Sequence, residues 1–330
     1  MKIGIFSDLH LHKHSMFGGA DGKRRLSDGL KVLKYIIEFF AKERCDAVAF
    51  LGDWFHIRRL IDVEVYDETR KLLKTLPLNK FKYLWALTGN HDWYGPDSNS
   101  ASIKMLEEFG FTVVTKSYLA LDKGLDLLFL PWMSSRDLEM QLNKCKEIVY
   151  RDRLLFLHAT PVGSSSATGH VFGNGINLAE HSDKFSFIFC GDIHKMQVIE
   201  PNIIICGSPM HHNFGDADQD RGVWIYDSNA TEPVTFHSLK GQFPEFIIVD
   251  NPKHIDDKHY YRITTSDPKN FIDKDNVKVI GTKTTKLKKR VDIDVATSPD
   301  KMIEKYAERF GGGLDITELI DLGKRMLHEA

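Results

Sequence analysis

Five short apolar runs in this chain are each followed closely by aspartate, asparagine or histidine. The runs lie at residues 3–6, 47–51, 83–87, 154–157 and 187–190. Apolar runs of this length, bounded by glycine and polar residues, are typical of strands that are buried on both faces. In open α/β sheets, ligand sites form beyond the carboxyl ends of such strands. The pattern therefore predicts an α/β fold whose polar residues meet at one edge of one sheet layer.

The polar residues at these strand ends are of types that bind metal ions. They are Asp8, His10, Asp53, Asn90, His158, Asp192 and His194. So many carboxylates and imidazoles would repel one another, or remain unsatisfied, without a cation. Ordinary turn chemistry also uses Asn, Gly and Asp, but it explains one such strand end rather than five. We therefore expect a metal centre, with Asp53 as a bridging ligand because a carboxylate can give one oxygen to each of two cations.

The composition is that of a globular protein, with 42% hydrophobic and 27% charged residues. A chain of 330 residues is long enough for one large domain and a smaller one. It has no apolar run of about 18 residues that would span a membrane, and its N-terminus enters a strand without a signal peptide. The four cysteines lack CxxC spacing. These features predict a cytoplasmic protein with reduced cysteines and no membrane contact.

The formal net charge of -2 gives no overall basic signal, so a contact with nucleic acid would need a local basic patch. Seven basic residues are candidates: Arg24 and Arg25 before the first predicted helix, Arg58 and Arg59 after the second strand, and Lys286, Lys288 and Lys289 in a basic run at 283–290. Such residues are often only solvated, or protect an edge strand. Solvation and DNA contact both remain open here. For His56, a surface position and a place in the site are equally open.

Helical spacing of apolar residues predicts helices at 26–42, 62–76, 101–109 and 137–150. Further apolar segments predict strands at 125–130, 202–206, 223–226, 246–249, 260–264, 277–282 and 291–295. The loop at 163–175 is rich in Ser, Gly and Thr and is of a kind that lines an active-site mouth, with His170 expected to be exposed. Two more helices are predicted after residue 297, where Ser298 and Asp315 can cap them. Their apolar stripes can pack on each other or await a partner.

The order of the motifs resembles that of the calcineurin-like metallophosphoesterases. The motifs are Asp8-x-His10, Gly52-Asp53, Gly89-Asn90-His91-Asp92, His158 and Gly191-x-x-His194. A second set resembles the SbcD-type DNA nuclease subunits, especially those of large tailed phages. It comprises Gly52-Asp53-Trp54-Phe55-His56, Gly207-Ser208-Pro209, Gly215-Asp216 and Arg221-Gly222-Val223-Trp224.

This resemblance implies a four-layer α-β-β-α metallophosphoesterase sandwich at residues 1–243. A smaller α+β capping domain at 244–297 would help to bind DNA, and terminal helices at 298–330 would dock on an SMC-like ATPase subunit of the SbcC type. The protein would be a DNA exonuclease of repair, recombination or replication, in the cytoplasm of a bacterium or of a phage-infected host. Endonuclease activity and a homodimer are left open.

The resemblance also implies a role for each site residue. One divalent metal would take Asp8, His10, Asp53 and His194, and a second would take Asp53, Asn90, His158 and the residue at 192. His91 would assist the chemistry without binding metal, and His56 would orient the substrate. Where the family usually has histidine, this chain has Asp192, which either makes the second site harder and more anionic or points away from it.

Mixed oxygen and imidazole ligation favours Mn²⁺, with Mg²⁺ as an alternative. Two such ions would lower the pKa of a water molecule and hold a phosphodiester for in-line attack. Two other interpretations remain open. A stand-alone phosphomonoesterase or cyclic-nucleotide phosphodiesterase would share the core motifs but would give the terminal helices no use. A non-catalytic scaffold would be expected to have lost ligands, whereas here one is changed, to another ligand type.

Overall fold

The computed structural model describes residues 1–58, 60–95, 100–122, 124–145, 152–250, 254–265, 275–281, 298–313 and 315–328. The chain forms one compact unit at Met1–Ile280 and a second at Gly281–Ala330. Arg59, Lys286, Lys288 and Lys289 lie outside the described residues, as does a strand predicted at 291–295. The division predicted at residue 243 stays a prediction.

The strands confirm the apolar segments predicted within the described residues and add four others. In chain order they are β1 (Lys2–Phe6), β2 (Ala47–Phe50), β3 (Tyr83–Leu87), β4 (Thr112–Val114), β5 (Tyr118–Asp122), β6 (Leu125–Leu130), β7 (Asp152–His158), β8 (Phe187–Gly191), β9 (Gln197–Glu200), β10 (Ile203–Ile205), β11 (Gly222–Asp227), β12 (Val234–Ser238), β13 (Phe246–Asp250), β14 (Tyr260–Thr265) and β15 (Val277–Gly281). The four that had not been predicted are β4, β5, β9 and β12.

The helices are α1 (Arg24–Lys42), α2 (Val63–Leu73), α3 (Ser135–Asn143), α4 (Pro299–Phe310) and α5 (Ile316–His328). The helix predicted at 101–109 is a 3-10 helix, Ser102–Phe109, which ends at the left-handed Gly110. Further 3-10 helices lie at Leu78–Lys80, Leu178–Lys184 and Phe214–Asp216. None of the helices in the described part of the chain is long and apolar enough to cross a membrane.

Two six-stranded sheets form the body of the first unit. Their strand orders are β12-β11-β1-β2-β3-β4 and β5-β6-β7-β8-β10-β9. Strands β1, β2, β3 and β4 are parallel in the first sheet, and β6, β7, β8 and β10 are parallel in the second. The ligand-type residues therefore follow strands of two sheets, and the expectation of a single sheet layer is wrong.

The two sheets pack face to face over an aromatic and aliphatic core. Ile5 and Ala49 of the first sheet lie in the same buried cluster as Phe129, Phe156 and Phe189 of the second. The rings of Phe129 and Phe156 stack at 4.8 Å, and those of Phe156 and Phe189 at 5.5 Å. Alternate side chains of these strands point to the opposite face, so each sheet needs a second cover.

Helices supply that cover and complete four layers. The outer face of the first sheet packs Phe6 and Phe50 with Val32, Ile36 and Phe40 of α1. The outer face of the second packs Leu130, Leu155 and Leu157 with Leu138 and Leu142 of α3. This α-β-β-α order confirms the predicted fold class.

A three-stranded sheet, β13-β14-β15, also belongs to the first unit. Phe246 of β13 and Tyr260 of β14 form a buried cluster with Phe17, and Phe214 packs against it. Phe17 and Phe214 lie close in sequence to His14 and His212. The three-stranded sheet therefore packs against the segments that carry these two histidines.

In the second unit, the structure describes the two helices α4 and α5. Their apolar faces pack on each other closely, since a Cβ added at Gly323 of α5 would lie 2.8 Å from Cγ2 of Ile303 in α4. An ion pair joins Lys324 to Glu304 at 2.5 Å. Asp315 caps α5 by accepting the Glu318 N–H at 3.2 Å.

Candidate metal centre

The backbone turns sharply at four of the predicted ligands. Asp8, His10, Asp53 and Asp192 have φ angles of 56°, 47°, 63° and 92°. Left-handed conformations are uncommon for residues other than glycine, and they cluster at ligand-binding sites, where the surrounding structure enforces them. Here the Asp8 N–H donates to the Gly52 carbonyl at 2.9 Å, and the His10 N–H to the Asp53 carbonyl at 3.0 Å. The strand ends are thereby fixed with their side chains held at one place.

Glycines beside the ligands allow the two sheets to approach closely. A Cβ at Gly52 would lie 2.4 Å from His158 Nδ1, and one at Gly89 would lie 2.1 Å from Asp53 Oδ1. Gly52 also has a φ of 106°, which a larger side chain rarely adopts. The glycines of the Gly-Asp and Gly-Asn-His-Asp motifs are therefore required by packing, and any larger residue would displace a ligand.

Asp92 holds the ligand loops together without facing the centre. Its Oδ2 accepts the N–H groups of Asp53 and Gly89, both at 2.8 Å, and its Oδ1 accepts that of Trp54 at 3.1 Å. The side chain is fully buried. Because three backbone donors from two loops converge on one carboxylate, Asp92 acts as a structural brace. No pattern in the sequence indicated this role.

A first set of ligand atoms converges beside Asp8. His10 Nε2 lies 3.8 Å from Asp8 Oδ1, 3.5 Å from Asp53 Oδ2 and 3.0 Å from His194 Nε2. His194 Nε2 lies 4.0 Å from Asp8 Oδ1. These four side chains are the set predicted for the first metal.

A second set converges on the other oxygen of Asp53. His158 Nε2 lies 3.6 Å from Asp53 Oδ1, 3.2 Å from Asn90 Oδ1 and 3.7 Å from Asp192 Oδ1. His158 Nδ1 lies 2.6 Å from the Leu51 carbonyl, so it carries the proton and leaves Nε2 free to bind a cation. Asp53 thus presents Oδ2 to one set and Oδ1 to the other.

Asp192 faces this second set and does not point away from it. Thr160 Oγ1 donates to its Oδ2 at 2.5 Å, which leaves Oδ1 on the side of His158. The Asp192 N–H donates to Asp8 Oδ2 at 3.2 Å. Its side chain is 16% exposed. Asp192 therefore stands where it can bind a cation together with Asn90 and His158.

The burial of these groups fits a pair of cations. Asp8 Oδ1 is buried and has no hydrogen-bond partner among the described residues. Burial raises the pKa of Asp8 to about 7, and burial followed by the Asp92 carboxylate raises the pKa of Asp53 well above its ordinary value. Burial also lowers the pKa of His10, with a further contribution from His212. Buried carboxylates that lack positive partners, next to neutral imidazoles, are the donor set that divalent metals bind.

His91 and His56 lie at the mouth of the centre. The His91 N–H donates to Asp53 Oδ1 at 2.8 Å, its Nδ1 bonds the His56 carbonyl, and its ring meets that of His10 edge to face at 4.8 Å. His91 is half-buried and His56 is exposed. His56 Nδ1 lies 3.4 Å from His10 Nδ1. Both histidines therefore stand beside the ligands and are open to solvent.

Three histidines that sequence reasoning missed surround this cluster. The rings of His12 and His14 lie 5.5 and 5.2 Å from that of His56. His212 Nε2 contacts the Asp8 carbonyl at 3.0 Å, and its ring lies 5.2 Å from that of His10. The alternation of histidine at 10, 12 and 14 was a signal for the first two. No local signal marks His212, which tertiary packing brings to the site.

The predicted basic residues differ in their surroundings. Arg25 is 5% exposed, its Nη2 donates to the His212 carbonyl at 3.1 Å, and its guanidinium lies 4.7 Å from the Phe246 ring. Arg24 is half-buried over Tyr260 at 5.1 Å. Arg58 is exposed. Arg25 thus supports the protein interior, whereas Arg58 has a side chain that a ligand can reach.

A cleft of about 280 Å³ opens beside Asp192 and His194. Ser166, Thr168 and Phe172 of the loop at 163–175 form one wall. This confirms that the loop lines the site, and His170 within it is exposed as expected.

Comparisons with known proteins agree with this arrangement. Residues 1–196 match the family model described as calcineurin-like phosphoesterase. None of the curated proteins compared with the chain matches it.

Three solved structures align with 72% of this chain. One, from a study of a novel archaeal phosphodiesterase, is 15% identical with a TM-score of 0.38 and is covered completely. A hypothetical protein from Thermus thermophilus is 13% identical, with a TM-score of 0.41 and 98% of its length covered. Another protein from Thermus thermophilus is 10% identical, with a TM-score of 0.43 and 99% covered.

Proposed function

The chain belongs to the calcineurin-like phosphoesterases, and from this premise we propose that it is a two-metal DNA nuclease. It would act as an exonuclease, with endonuclease activity as a further possibility to be measured, and would serve as the nuclease subunit of an SbcCD-like repair or recombination complex. The observation that carries the proposal is the position of Asp53, whose two oxygens face two separate ligand sets. A cleft lies next to those sets.

The residues that would hold the metals are those of the two sets. Asp8, His10, Asp53 and His194 would hold one ion, and Asp53, Asn90, His158 and Asp192 the other. Mn²⁺ suits these oxygen and nitrogen donors best, and Mg²⁺ is the alternative. When bound, such ions supply Lewis-acid activation of water and of the phosphodiester.

His91 would act on the substrate directly. Its backbone N–H is fixed on Asp53 and its Nδ1 on the His56 carbonyl, so Nε2 remains for an oxygen of the substrate. With Nδ1 donating to that carbonyl, His91 must also carry a proton on Nε2, as an imidazolium, to donate a hydrogen bond to a phosphate oxygen or to protonate the leaving oxygen. His56, exposed beside it, would orient the DNA strand.

Contact with DNA would come from basic side chains. Arg58 is exposed two residues after His56, and Arg24 is the first residue of α1. Lys286, Lys288 and Lys289 would add a basic segment in the predicted capping domain at 244–297. Arg25 is the weakest candidate, because its guanidinium serves His212 and Phe246.

The terminal helices would bind the ATPase subunit. Helices α4 and α5 bury one face against each other yet leave large apolar side chains exposed. These are Tyr306 (57%), Phe310 (48%), Leu322 (50%), Met326 (67%) and Leu327 (41%). Apolar side chains grouped on a short helical pair are typical of a docking surface, and the coiled coil of an SMC-like ATPase of the SbcC type is the partner we propose. A homodimer stays a prediction.

The test of the nuclease is degradation of linear double-stranded DNA in Mn²⁺, with a chromogenic phosphodiester assayed in parallel. Loss of DNA by the wild type, abolished in His91→Ala, is the expected result. The chain could instead hydrolyse the small ester and leave DNA intact, even with an SbcC-type subunit added. That result would contradict the nuclease proposal and support a stand-alone phosphodiesterase. If neither substrate is hydrolysed, the interpretation as a non-catalytic scaffold is favoured.

The partner is tested separately, with the coiled-coil base of an SMC-like ATPase of the SbcC type. We expect Met326→Asp to abolish the complex, while Lys301→Asp, a polar change on α4, retains it. Equal binding by both variants would contradict the docking proposal.

A further inference from the structure

A groove of about 710 Å³ opens beside the segment that follows the Gly89–Asp92 loop. Its lining includes two indoles and a thioether, from Trp93, Trp132 and Met133, together with Lys116. None of the candidate metal ligands lines it. The groove is therefore separate from the cleft beside Asp192.

The backbones of both tryptophans lie beside the loop that carries Asn90 and His91. Trp93 follows that loop directly and pairs with Ala101 in an isolated bridge. Trp132 follows β6, and its backbone N–H donates to the Thr88 carbonyl at 2.9 Å. The groove thus adjoins the backbone immediately before and immediately after the candidate catalytic loop.

The two indoles differ from the other tryptophans of the protein. Trp54, Trp85 and Trp224 are 0%, 3% and 6% exposed, whereas Trp93 and Trp132 are half-buried and line the groove. Indole faces stack on nucleobases with little dependence on sequence, because every base has a π-face. Trp93 Nε1 is also buried without a hydrogen-bond partner among the described residues.

The groove fits an unpaired strand better than a duplex. Lys116 can contact a phosphate. Asp137 brings one carboxylate into the lining, and its Oδ2 accepts from Ser134 Oγ at 2.6 Å at the start of α3. A duplex hides its base faces in stacking and would offer the indoles only its backbone, whereas a single strand offers bases to the indoles.

We propose that this groove binds the unpaired nucleobases of a single-stranded nucleic acid whose backbone continues to the metal centre. The second half of this statement rests on the proposed nuclease function. The first half, binding of bases by Trp93 and Trp132, does not, because it needs neither metal nor cleavage.

The test measures binding of fluorescein-labelled (dT)12 to the full chain by anisotropy, in EDTA so that no cleavage occurs. We expect Trp93→Ala and Trp132→Ala each to weaken binding about fivefold or more, with Trp132→Phe restoring part of the affinity. Trp85→Phe, a buried indole of β3, is the matched control and should bind as the wild type does. Circular dichroism melting confirms that each variant is folded.

The outcomes separate this proposal from the nuclease. If the wild type binds (dT)12 through both indoles but cleaves no DNA, the groove proposal is supported and the nuclease proposal is contradicted. If the chain cleaves DNA and the two alanine variants bind (dT)12 as tightly as the wild type, the groove proposal is overturned and the nuclease proposal is supported. Absence of (dT)12 binding by the wild type in EDTA also overturns it.

Discussion

The two edges of the sheets both carry aspartates, yet they differ in every property that a metal site needs. At the carboxyl edge, Asp8 and Asp53 are buried, and Asp8 Oδ1 has no hydrogen-bond partner among the described residues. At the amino edge, a cavity of about 270 Å³ is lined by Asp46, Asp122 and Asp152. Asp46 and Asp152 are exposed and Asp122 is half-exposed.

The carboxylates of the amino edge already have partners. Asp46 Oδ2 accepts the Lys2 N–H at 2.7 Å, and Asp152 Oδ1 accepts from Ser186 Oγ at 3.0 Å. Lys82 lies 3.5 Å from Asp122 Oδ2. No histidine is among the described residues that line this cavity. The comparison teaches that grouped carboxylates become a candidate metal site when they are buried and stand beside imidazoles, as they do at the carboxyl edge.

The largest difference between the edges should appear in catalysis. Asp53→Asn changes the ligand shared by both sets and should lower kcat/KM on DNA about a thousandfold or more, because a bound cation is worth several kcal/mol to the transition state. Asp46→Asn at the amino edge should change it less than about threefold. Similar activities for the two variants would remove the distinction between the edges.

A smaller loss of activity is expected when His91 is replaced, because the metal ligands are kept. His91→Ala should lower kcat about a hundredfold or more, as for other general acids, while binding Mn²⁺ like the wild type in calorimetry. His170→Ala, an exposed histidine of the loop at 163–175, is the matched control and should keep full activity. Loss of a bound ion in His91→Ala would show that His91 is a ligand instead.

The structural role of Asp92 at the carboxyl edge should appear in the free energy of unfolding. Asp92→Asn places an amide NH₂ among three buried backbone donors. It should lower the free energy of unfolding in urea, without metal, by about 2 kcal/mol. Asp152→Asn at the amino edge should change it by less than about 0.5 kcal/mol. Equal values for both would contradict the structural role of Asp92.

The mildest effect concerns pH. With the pKa of Asp8 raised to about 7 by burial, the metal-free protein holds a proton there below that pH, and a cation must displace it. Mn²⁺ affinity, measured by calorimetry from pH 5.5 to 8.5, should therefore rise with pH by about tenfold per unit for each proton released, and level off above pH 7. Asp46→Asn should retain this slope. An affinity independent of pH would contradict the raised pKa that burial gives Asp8.

The sequence was sufficient to predict the central strands and the residues at their ends. Buried strands are continuous apolar runs, so β1, β2, β3, β7 and β8 could be recognised. The strands that were missed, β4, β5, β9 and β12, are the four at the edges of the two six-stranded sheets. Most of their residues are partly buried or exposed, and Leu119 and Leu121 of β5 are 52% and 62% exposed. Edge strands therefore lack the signal on which the prediction depends.

The arrangement of side chains within the site could be predicted only in part. The motifs identified which residues gather, but not that Thr160 turns Asp192 toward His158. Nor could they indicate that Arg25 lies inside the protein beside His212. These facts depend on contacts between residues far apart in the chain, which no local pattern encodes.

The central claim is that Asp53 joins two cations, and it is tested most directly by electron paramagnetic resonance of the Mn²⁺-loaded protein, with the bound metal counted by equilibrium dialysis. The account predicts two ions per chain with the spectrum of an exchange-coupled pair, and loss of the coupling in Asp53→Asn. One ion per chain, or two ions with uncoupled spectra in the wild type, would contradict it.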